Sequence, residues 1–145
     1  MTDTPQTYDN HTRYHPPFHF FVLPLFGLNL IFALVQLIRF PDLDHAVLFV
    51  LAIGLVELTI LARTSALRAQ DRVIRLEERL RYHQVLAPAM AQAACALSPR
   101  QVIALRFASD EELPELAQLV LDGKLTEGKE IKRAVKRWRA DTLRV

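Results

Sequence analysis

Two long apolar stretches constrain this chain more than any other feature. They cover residues 18–38 and 46–62, and only residues 39–45 separate them. A helix needs roughly 20 mostly apolar residues, with a lower limit near 17, to cross the hydrocarbon core of a bilayer. Neither stretch contains Lys, Arg or Asp, and the second contains one acidic residue, Glu57. The pattern predicts a transmembrane helical hairpin over residues 18–62.

The charges that flank these stretches predict the orientation of the hairpin. Residues 63–97 hold six Arg against three acidic residues, and segments rich in Arg and Lys next to a span stay on the cytoplasmic side. Two spans then place a polar N-terminal arm, residues 1–17, on that side as well. The arm carries Asp3 and Asp9, and the first apolar stretch is longer than a signal-peptide core. We therefore expect the first span to be retained, with both termini in the cytoplasm.

Helical periodicity continues beyond the second stretch. No Gly or Pro interrupts the chain between Gly54 and Pro88, so residues 63–97 are predicted to form an amphipathic helical stalk that bends at Pro88. A stripe with the alternating 3-4 spacing of a coiled coil follows the stalk and consists of Ala66, Ala69, Val73, Leu76, Leu80, His83 and Ala87. Three partners are open for this short stripe: a second copy of the chain, the C-terminal domain or another protein.

The C-terminal residues 98–145 predict a small cytoplasmic domain of three short helices. Capping residues indicate three helix starts, at Ser98 with Gln101, at Ser109 with Glu112, and at Thr126. The third helix is expected to carry Ile131, Ala134, Val135 and Trp138 on one face and a basic surface on the others, formed by Lys129, Lys132, Arg133, Lys136, Arg137 and Arg139. The predicted fold class is therefore all-α: a transmembrane helical hairpin, a helical stalk and a small three-helix domain.

Two polar residues, Asn29 and Glu57, lie inside the apolar stretches and fall at similar depth if the turn is centred near residue 42. A carboxylate in hydrocarbon is costly, so Glu57 is expected to be neutral, paired or facing water. Two interpretations stay open. We favour a protonated Glu57 that hydrogen-bonds Asn29 or a partner subunit, and the alternative is a proton or ion relay.

The N-terminal arm contains three histidines, His11, His15 and His19, at intervals of four. On a continuous helix they would share one face and resemble a metal or haem site. Pro16 and Pro17 argue against such a helix. We favour an arm whose rings lie at headgroup depth, and we predict no cofactor. A redox membrane protein that binds metal or haem through these histidines stays an alternative.

Motifs of catalysis are missing from the sequence. It contains no Gly-rich phosphate loop, no CxxC and no HExxH. The one cysteine, Cys95, lies among alanines and is expected to pack as a small apolar residue. We therefore predict that the chain is not an enzyme.

Residues 97–105, Leu-Ser-Pro-Arg-Gln-Val-Ile-Ala-Leu, resemble the start of a LuxR-type helix-turn-helix, and the basic third helix adds to this resemblance. The resemblance implies a membrane-tethered nucleic-acid binder that uses that helix. The region after Gly123 lacks the short turn and the threonine-rich recognition helix of that family. We therefore favour a basic surface that faces lipid or protein, and keep nucleic-acid binding as the alternative.

A second resemblance extends over nearly the whole chain. Its motifs are Tyr14-His-Pro with Phe18-His19, then Gln70-Asp-Arg-Val-Ile-Arg-Leu-Glu77, Leu105-Arg-Phe-Ala-Ser-Asp-Glu111, and Glu130-Ile-Lys-Arg-Ala-Val with Trp138. In this order they resemble an uncharacterised family of small bacterial two-span membrane proteins, a domain of unknown function. The resemblance implies a bacterial origin and a location in the inner membrane, and it implies no activity for any residue.

Taken together, these features predict an integral inner-membrane protein of unknown process. We expect it to act as a membrane-anchored protein-interaction or accessory subunit. The expected partners are the lipid bilayer and either further copies of the chain or another membrane protein.

Overall fold

The structure is a computed structural model, and it describes residues 7–8 and 15–141. A π-helical turn, Pro17–Val22, leads into six α-helices: α1 Leu23–Arg39, α2 Leu43–Val85, α3 Pro88–Cys95, α4 Pro99–Leu105, α5 Leu113–Leu121 and α6 Gly128–Ala134. The described residues contain no strand, and an isolated antiparallel bridge joins Ala108 and Trp138. The all-α fold class predicted from the sequence is confirmed.

The described chain divides into two compact units. The first covers residues 15–68, and the second covers residues 7–8 and 69–141. Helix α2 contributes residues to both units, because it runs from Leu43 to Val85 without interruption.

The first unit contains two apolar helical segments. Residues 17–39 and helix α2 are each long and apolar enough to cross a membrane. Large apolar side chains on them, Phe32 and Leu58 among others, are exposed. Exposed apolar surface of this extent is uncommon on soluble monomers and is what a helix in contact with lipid requires.

Asp42 caps the start of α2. Its Oδ1 accepts a hydrogen bond from the backbone N–H of His45 at 2.9 Å and lies 2.6 Å from Nδ1 of the same residue. The backbone hydrogen bond is the largest cause of the lowered pKa of Asp42. A carboxylate in this position satisfies one of the free N–H groups of the first turn and so stabilises the helix start.

The π-helical turn lies immediately before a proline. The backbone N–H of Leu23 donates to the carbonyl of Phe18, five residues back. Pro24 has no N–H, and in a regular α-helix its ring would clash with the carbonyl of Phe20. The wider π-helical turn lets the chain continue past Pro24 as a helix.

The second unit packs helices α2 to α6 around one apolar core. Its fully or almost fully buried members include Tyr82, Leu86, Ala91, Ala94, Val102, Leu105, Leu113, Leu116 and Ile131. Helix α2 ends at Val85, and Ala87 adopts an extended conformation before Pro88, as residues that precede proline commonly do.

The face of α2 that packs in the second unit differs from the apolar stripe in the sequence. Arg81 and Tyr82 are buried, whereas Val73, Leu76 and Leu80 are 55%, 62% and 60% exposed. Of the three partners that the sequence left open for the stripe, the C-terminal domain is therefore not the one. Coiled-coil formation by the stripe stays a prediction.

The predicted starts of α4 and α5 have different outcomes. The Ser98 side chain accepts from the N–H of Gln101, and the Gln101 side chain accepts from the N–H of Ser98, so this capping box is confirmed. Helix α5 begins after Glu112, three residues later than predicted, because Pro114 lacks an N–H and fits only the first turn. The Ser109 hydroxyl still accepts from the N–H of Glu112 at 3.3 Å.

Helix α6 is shorter than predicted. Its cap is Glu127 rather than Thr126, and Glu130 completes the capping box. The backbone is extended at Val135, directly after the last helical residue. The sequence had placed Trp138 on this helix, but Trp138 lies beyond it, in a non-helical stretch of residues 135–141 that we call the C-terminal segment.

Candidate functional site

A cluster of paired charges with a buried centre is the most distinctive site of the second unit; Asp110 and Arg139, at its margin, are exposed. It begins on α2 with Glu78 and Arg81, whose side chains are only 5% and 8% exposed. Arg81 Nη1 donates to Glu78 Oε2 at 3.1 Å. Residues three apart lie on the same face of a helix, so the pair forms within α2 itself. Such pairing is required because an isolated charge is costly to remove from water.

Arg81 also connects α2 to the loop between α4 and α5. Its Nη2 donates to the carbonyl of Ala108 at 2.7 Å. Its Nε donates to Oδ1 of Asp110, also at 2.7 Å. The planar guanidinium thus bonds acceptors from three residues, which an ammonium of lysine could not do in this geometry.

The C-terminal segment completes the cluster. Arg139 Nη1 donates to Glu78 Oε1 at 3.3 Å, and Arg106 Nε lies 3.1 Å from Oδ2 of Asp141. The backbone N–H of Arg139 donates to the carbonyl of Phe107 at 2.8 Å. Side-chain and backbone bonds together hold this segment against α2 and the end of α4.

Glu112 determines where α6 ends and the C-terminal segment begins. Its carboxylate accepts hydrogen bonds from the backbone N–H of Lys136 at 2.9 Å and of Arg137 at 3.0 Å. The carbonyl of Arg137 accepts from the N–H of Ser109 at 3.0 Å. These bonds occupy backbone groups that a longer α6 would need for its own ladder.

Burial dominates the electrostatics of the cluster. Glu78 lies past Ala62, the last residue of the second apolar stretch, and burial raises the pKa of its carboxyl, while the ion pair with Arg81 acts in the opposite direction. Burial also raises the pKa of Tyr82, whose hydroxyl has no hydrogen-bond partner among the described residues. Removal of Arg81 would therefore leave the carboxylate of Glu78 buried without its nearest compensating charge, which is energetically costly.

The cluster lines a cavity of about 470 Å³. Charges of both signs face it, together with the apolar side chains of Ile74 and Leu80. The ionisable side chains of the lining are carboxylates and guanidinium groups. The arrangement joins α2, the loop after α4 and the C-terminal segment through paired charges.

A second cavity, of about 260 Å³, lies within the first unit between α1 and α2. Its polar lining comes from Asn29, Gln36 and His45, and the remaining lining is apolar. Glu57 has an exposed side chain and is not among the lining residues. The structure therefore does not bring Glu57 into the cavity that Asn29 lines, and the pairing of Glu57 with a partner subunit stays a prediction.

The model of one protein family matches residues 1–145, the whole chain. The chain belongs to DUF6526, a family of unknown function. This match confirms the resemblance to an uncharacterised family that the sequence motifs suggested. No curated protein and no solved structure matches the chain. Membership of DUF6526 assigns no activity to the charge cluster or to the hairpin.

The histidines of this DUF6526 protein are only partly described. His11 lies outside the described residues. Nδ1 of His19 lies 3.2 Å from the backbone N and 3.0 Å from the carbonyl O of His15. Within residues 7–8 and 15–141, no group of three or more His, Cys, Asp or Glu side chains is arranged to hold a metal ion. Binding of metal or haem by the arm stays the untested alternative to the predicted absence of a cofactor.

The six basic residues predicted to share the third helix do not do so. Three lie on α6, and three follow it in the C-terminal segment of the DUF6526 protein. Arg133 lies over the ring of Tyr8 at 5.2 Å, and Lys132 lies over the ring of Phe107 at 5.5 Å. The prediction of one basic helix is therefore wrong, because the bonds to Glu112 end α6 before Lys136.

Sequence reasoning does not find the charge cluster, because Glu78 and Arg81 look like solvated positions of an amphipathic helix. One signal is present in this DUF6526 sequence. Arg106 interrupts an otherwise apolar run between Val102 and Phe107, and an arginine at a core position indicates a buried partner. Its partner, Asp141, comes from a remote segment that no spacing rule identifies.

Proposed function

We propose that this DUF6526 protein is an integral protein of the bacterial inner membrane that acts as a membrane-anchored protein-interaction or accessory subunit. In this proposal, residues 17–39 and the apolar part of α2 cross the bilayer as a multi-pass anchor. The turn at residues 40–42 faces the outside, and both termini lie in the cytoplasm.

The exposure of α1 supports the membrane anchor. Among its residues only Ala33 is buried, whereas Leu28 and Phe32 are exposed. A soluble protein would bury such a helix in its core, and a bilayer covers it without protein contacts. The arginines that begin at Arg63 support a cytoplasmic location for the residues after the second span.

The continuity of α2 is the observation that carries the proposal. This helix contains the second apolar stretch, and it also contributes Tyr82 to the core of the second unit. An anchor and a folded domain that share one helix are typical of a protein whose domain must be presented at a membrane. The charge cluster pairs its own groups internally, which favours a scaffold role over chemistry at that site.

The proposal is tested by gentle detergent extraction of the tagged full-length chain from its native membrane. Mass spectrometry and an absorbance spectrum of the intact particle then identify what accompanies the chain. We expect resistance of the membrane-bound chain to carbonate washing, and a colourless particle that contains more than one polypeptide. The matched control is the hairpin alone, residues 1–62, which should insert into the membrane but lose the complex.

Three results would contradict the proposal. Release of the full chain from the membrane by carbonate would contradict the proposed membrane anchor. A monomeric particle would remove the interaction role, and a Soret band or stoichiometric metal would favour the histidine-based alternative.

A further inference from the structure

Helix α2 has two opposite faces within the second unit. The C-terminal helices and loops pack on one face, at Ile74, Glu78, Arg81 and Tyr82. Successive residues of a helix advance by about 100°. The other face therefore carries what we call the exposed stripe: Ala69, Val73, Leu76, Leu80 and His83, all of them exposed. Leu80 also lines the cavity of the charge cluster, and Nε2 of His83 lies 3.8 Å from Sγ of Cys95.

The spacing of the exposed stripe is that of a coiled-coil seam. Val73 and Leu80 fall at a positions of a heptad, and Ala69, Leu76 and His83 fall at d positions. A β-branched residue at a with Leu at d, as Val73 and Leu76 provide, favours a parallel two-stranded coil. The three large apolar side chains of the stripe are more than half exposed. A partner helix would bury their apolar surface, which is favourable.

The flanking charges select one orientation of that partner. Arg72 and Arg79 occupy g positions, and Glu77 and Gln84 occupy e positions. In a parallel, in-register pair, a g residue faces the e residue of the next heptad in the other helix. Arg72 then faces Glu77 of the second copy, twice by symmetry. In an antiparallel pair, g faces g, and Arg72 would meet Arg79.

We propose that the exposed stripe is the docking surface for a second copy of this chain, which pairs with it as a parallel, in-register coiled coil over residues 69–83. The inference rests on the proposed membrane anchor, because two copies anchored in one bilayer leave it with the same polarity. Anchoring also raises their effective concentration, which offsets the short length of the coil. The charge complementarity of Arg72 and Glu77 favours a second copy over an unrelated partner.

Cysteine cross-linking of the full-length chain in its membrane tests the pairing. In a Cys95→Ala background, Leu76→Cys places a thiol on the seam, and Asp71→Cys places an exposed thiol on the opposite side of the same helix. We expect mild oxidation to convert Leu76→Cys to a disulfide-linked product of twice the mass. Asp71→Cys should remain monomeric under the same conditions.

A charge exchange tests the orientation. Arg72→Glu sets Glu against Glu77 of the second copy and should lower the Leu76→Cys cross-linking yield several-fold. The double exchange Arg72→Glu with Glu77→Arg should restore the yield, because it re-forms the pair with its signs reversed. In an antiparallel pair, Arg72→Glu would instead face Arg79 and raise the yield. Resistance of each variant to trypsin checks that the second unit remains folded.

The outcomes separate this inference from the proposed function. An anchored chain in which Leu76→Cys gives no homodimer overturns the pairing and leaves the anchor in place. A product of another mass overturns it as well, because the stripe then faces a different protein. If carbonate releases the chain, the anchor fails, and the same cross-linking in the soluble fraction still decides whether two copies pair.

Discussion

Arg81 joins helix α2 to the loop after α4 through a single side chain. One guanidinium bonds Glu78 on its own helix, and it also bonds the carbonyl of Ala108 and the carboxylate of Asp110 in the loop after α4. Arg79 lies on the same helix and is exposed. The two arginines therefore allow the effect of a buried, paired charge to be separated from the effect of charge on the helix.

Replacement of Arg81 by Met should destabilise the second unit strongly. Methionine keeps an unbranched apolar stem like that of arginine but leaves the buried carboxylate of Glu78 without its nearest partner. Loss of one member of a buried ion pair costs on the order of 3 kcal/mol. The free energy of unfolding in detergent, compared with that of the exposed control Arg79→Met, measures the effect. Equal stability of the two variants would contradict the structural role of the cluster.

The free energy of unfolding of Arg81→Met should depend on pH. Burial raises the folded-state pKa of Glu78 above its ordinary value, so its stabilising contribution is present at low pH and is lost as pH rises through the folded pKa. The charge of Arg81 lowers the pKa of Glu78, so Arg81→Met should raise this pKa further. The stability of the variant should then depend on pH over a wider range. Between about pH 7 and about pH 5, Arg81→Met should therefore recover stability relative to Arg79→Met. The double variant Glu78→Gln with Arg81→Met should lose this recovery.

Helices α4 and α6 differ in how well their sequences predict them. The start of α4 is predictable, because Ser98 and Gln101 satisfy each other's backbone groups within four residues. The end of α6 is not, because it depends on Glu112, which lies more than twenty residues earlier in the chain. The buried face of α2 is hidden for a similar reason. Its charges become core residues only when loop and C-terminal partners, such as Asp110, reach them.

Glu112→Ala should loosen the C-terminal segment without unfolding the unit. The variant frees the backbone N–H groups of Lys136 and Arg137. The C-terminal segment should therefore detach locally more often, and its basic residues can then enter the active site of trypsin. We expect trypsin to cleave the C-terminal segment of the folded protein faster in this variant. Mass spectrometry of the digest over time identifies the cleavage sites and measures their rates. Glu115→Ala, on the exposed surface of α5, is the matched control. Equal cleavage rates in both variants would mean that Glu112 does not hold the segment.

The broad features of the fold were accessible from the sequence. Apolar length, helical periodicity and the absence of Gly and Pro between Gly54 and Pro88 predicted an all-α chain, and the ordered motifs predicted the family. These features are local or compositional, so no knowledge of tertiary contacts was needed. The charge cluster lay beyond prediction because its members come from three separate parts of the chain and meet only after folding.

The proposed topology has a direct test in intact cells. In a Cys95→Ala background, Asp44→Cys places a thiol next to the turn between the two apolar segments, and Glu111→Cys places one in the second unit. A membrane-impermeant maleimide should label Asp44→Cys from outside. It should label Glu111→Cys only after the membrane is permeabilised. The reverse pattern would invert the orientation derived from the arginines, and labelling of both thiols from outside would exclude a hairpin anchor.

The two faces of α2 also divide its tolerance of mutation. Changes at Glu78, Arg81 or Tyr82 are expected to affect folding of the single chain, whereas in the proposed pair changes at Arg72 and Glu77 alter which helix packs beside it. Recognition can therefore diverge while the fold is retained. If the gene were duplicated, an exchange of the charges at Arg72 and Glu77 in one copy would disfavour mixed pairs. The two products would then form separate homodimers in the same membrane.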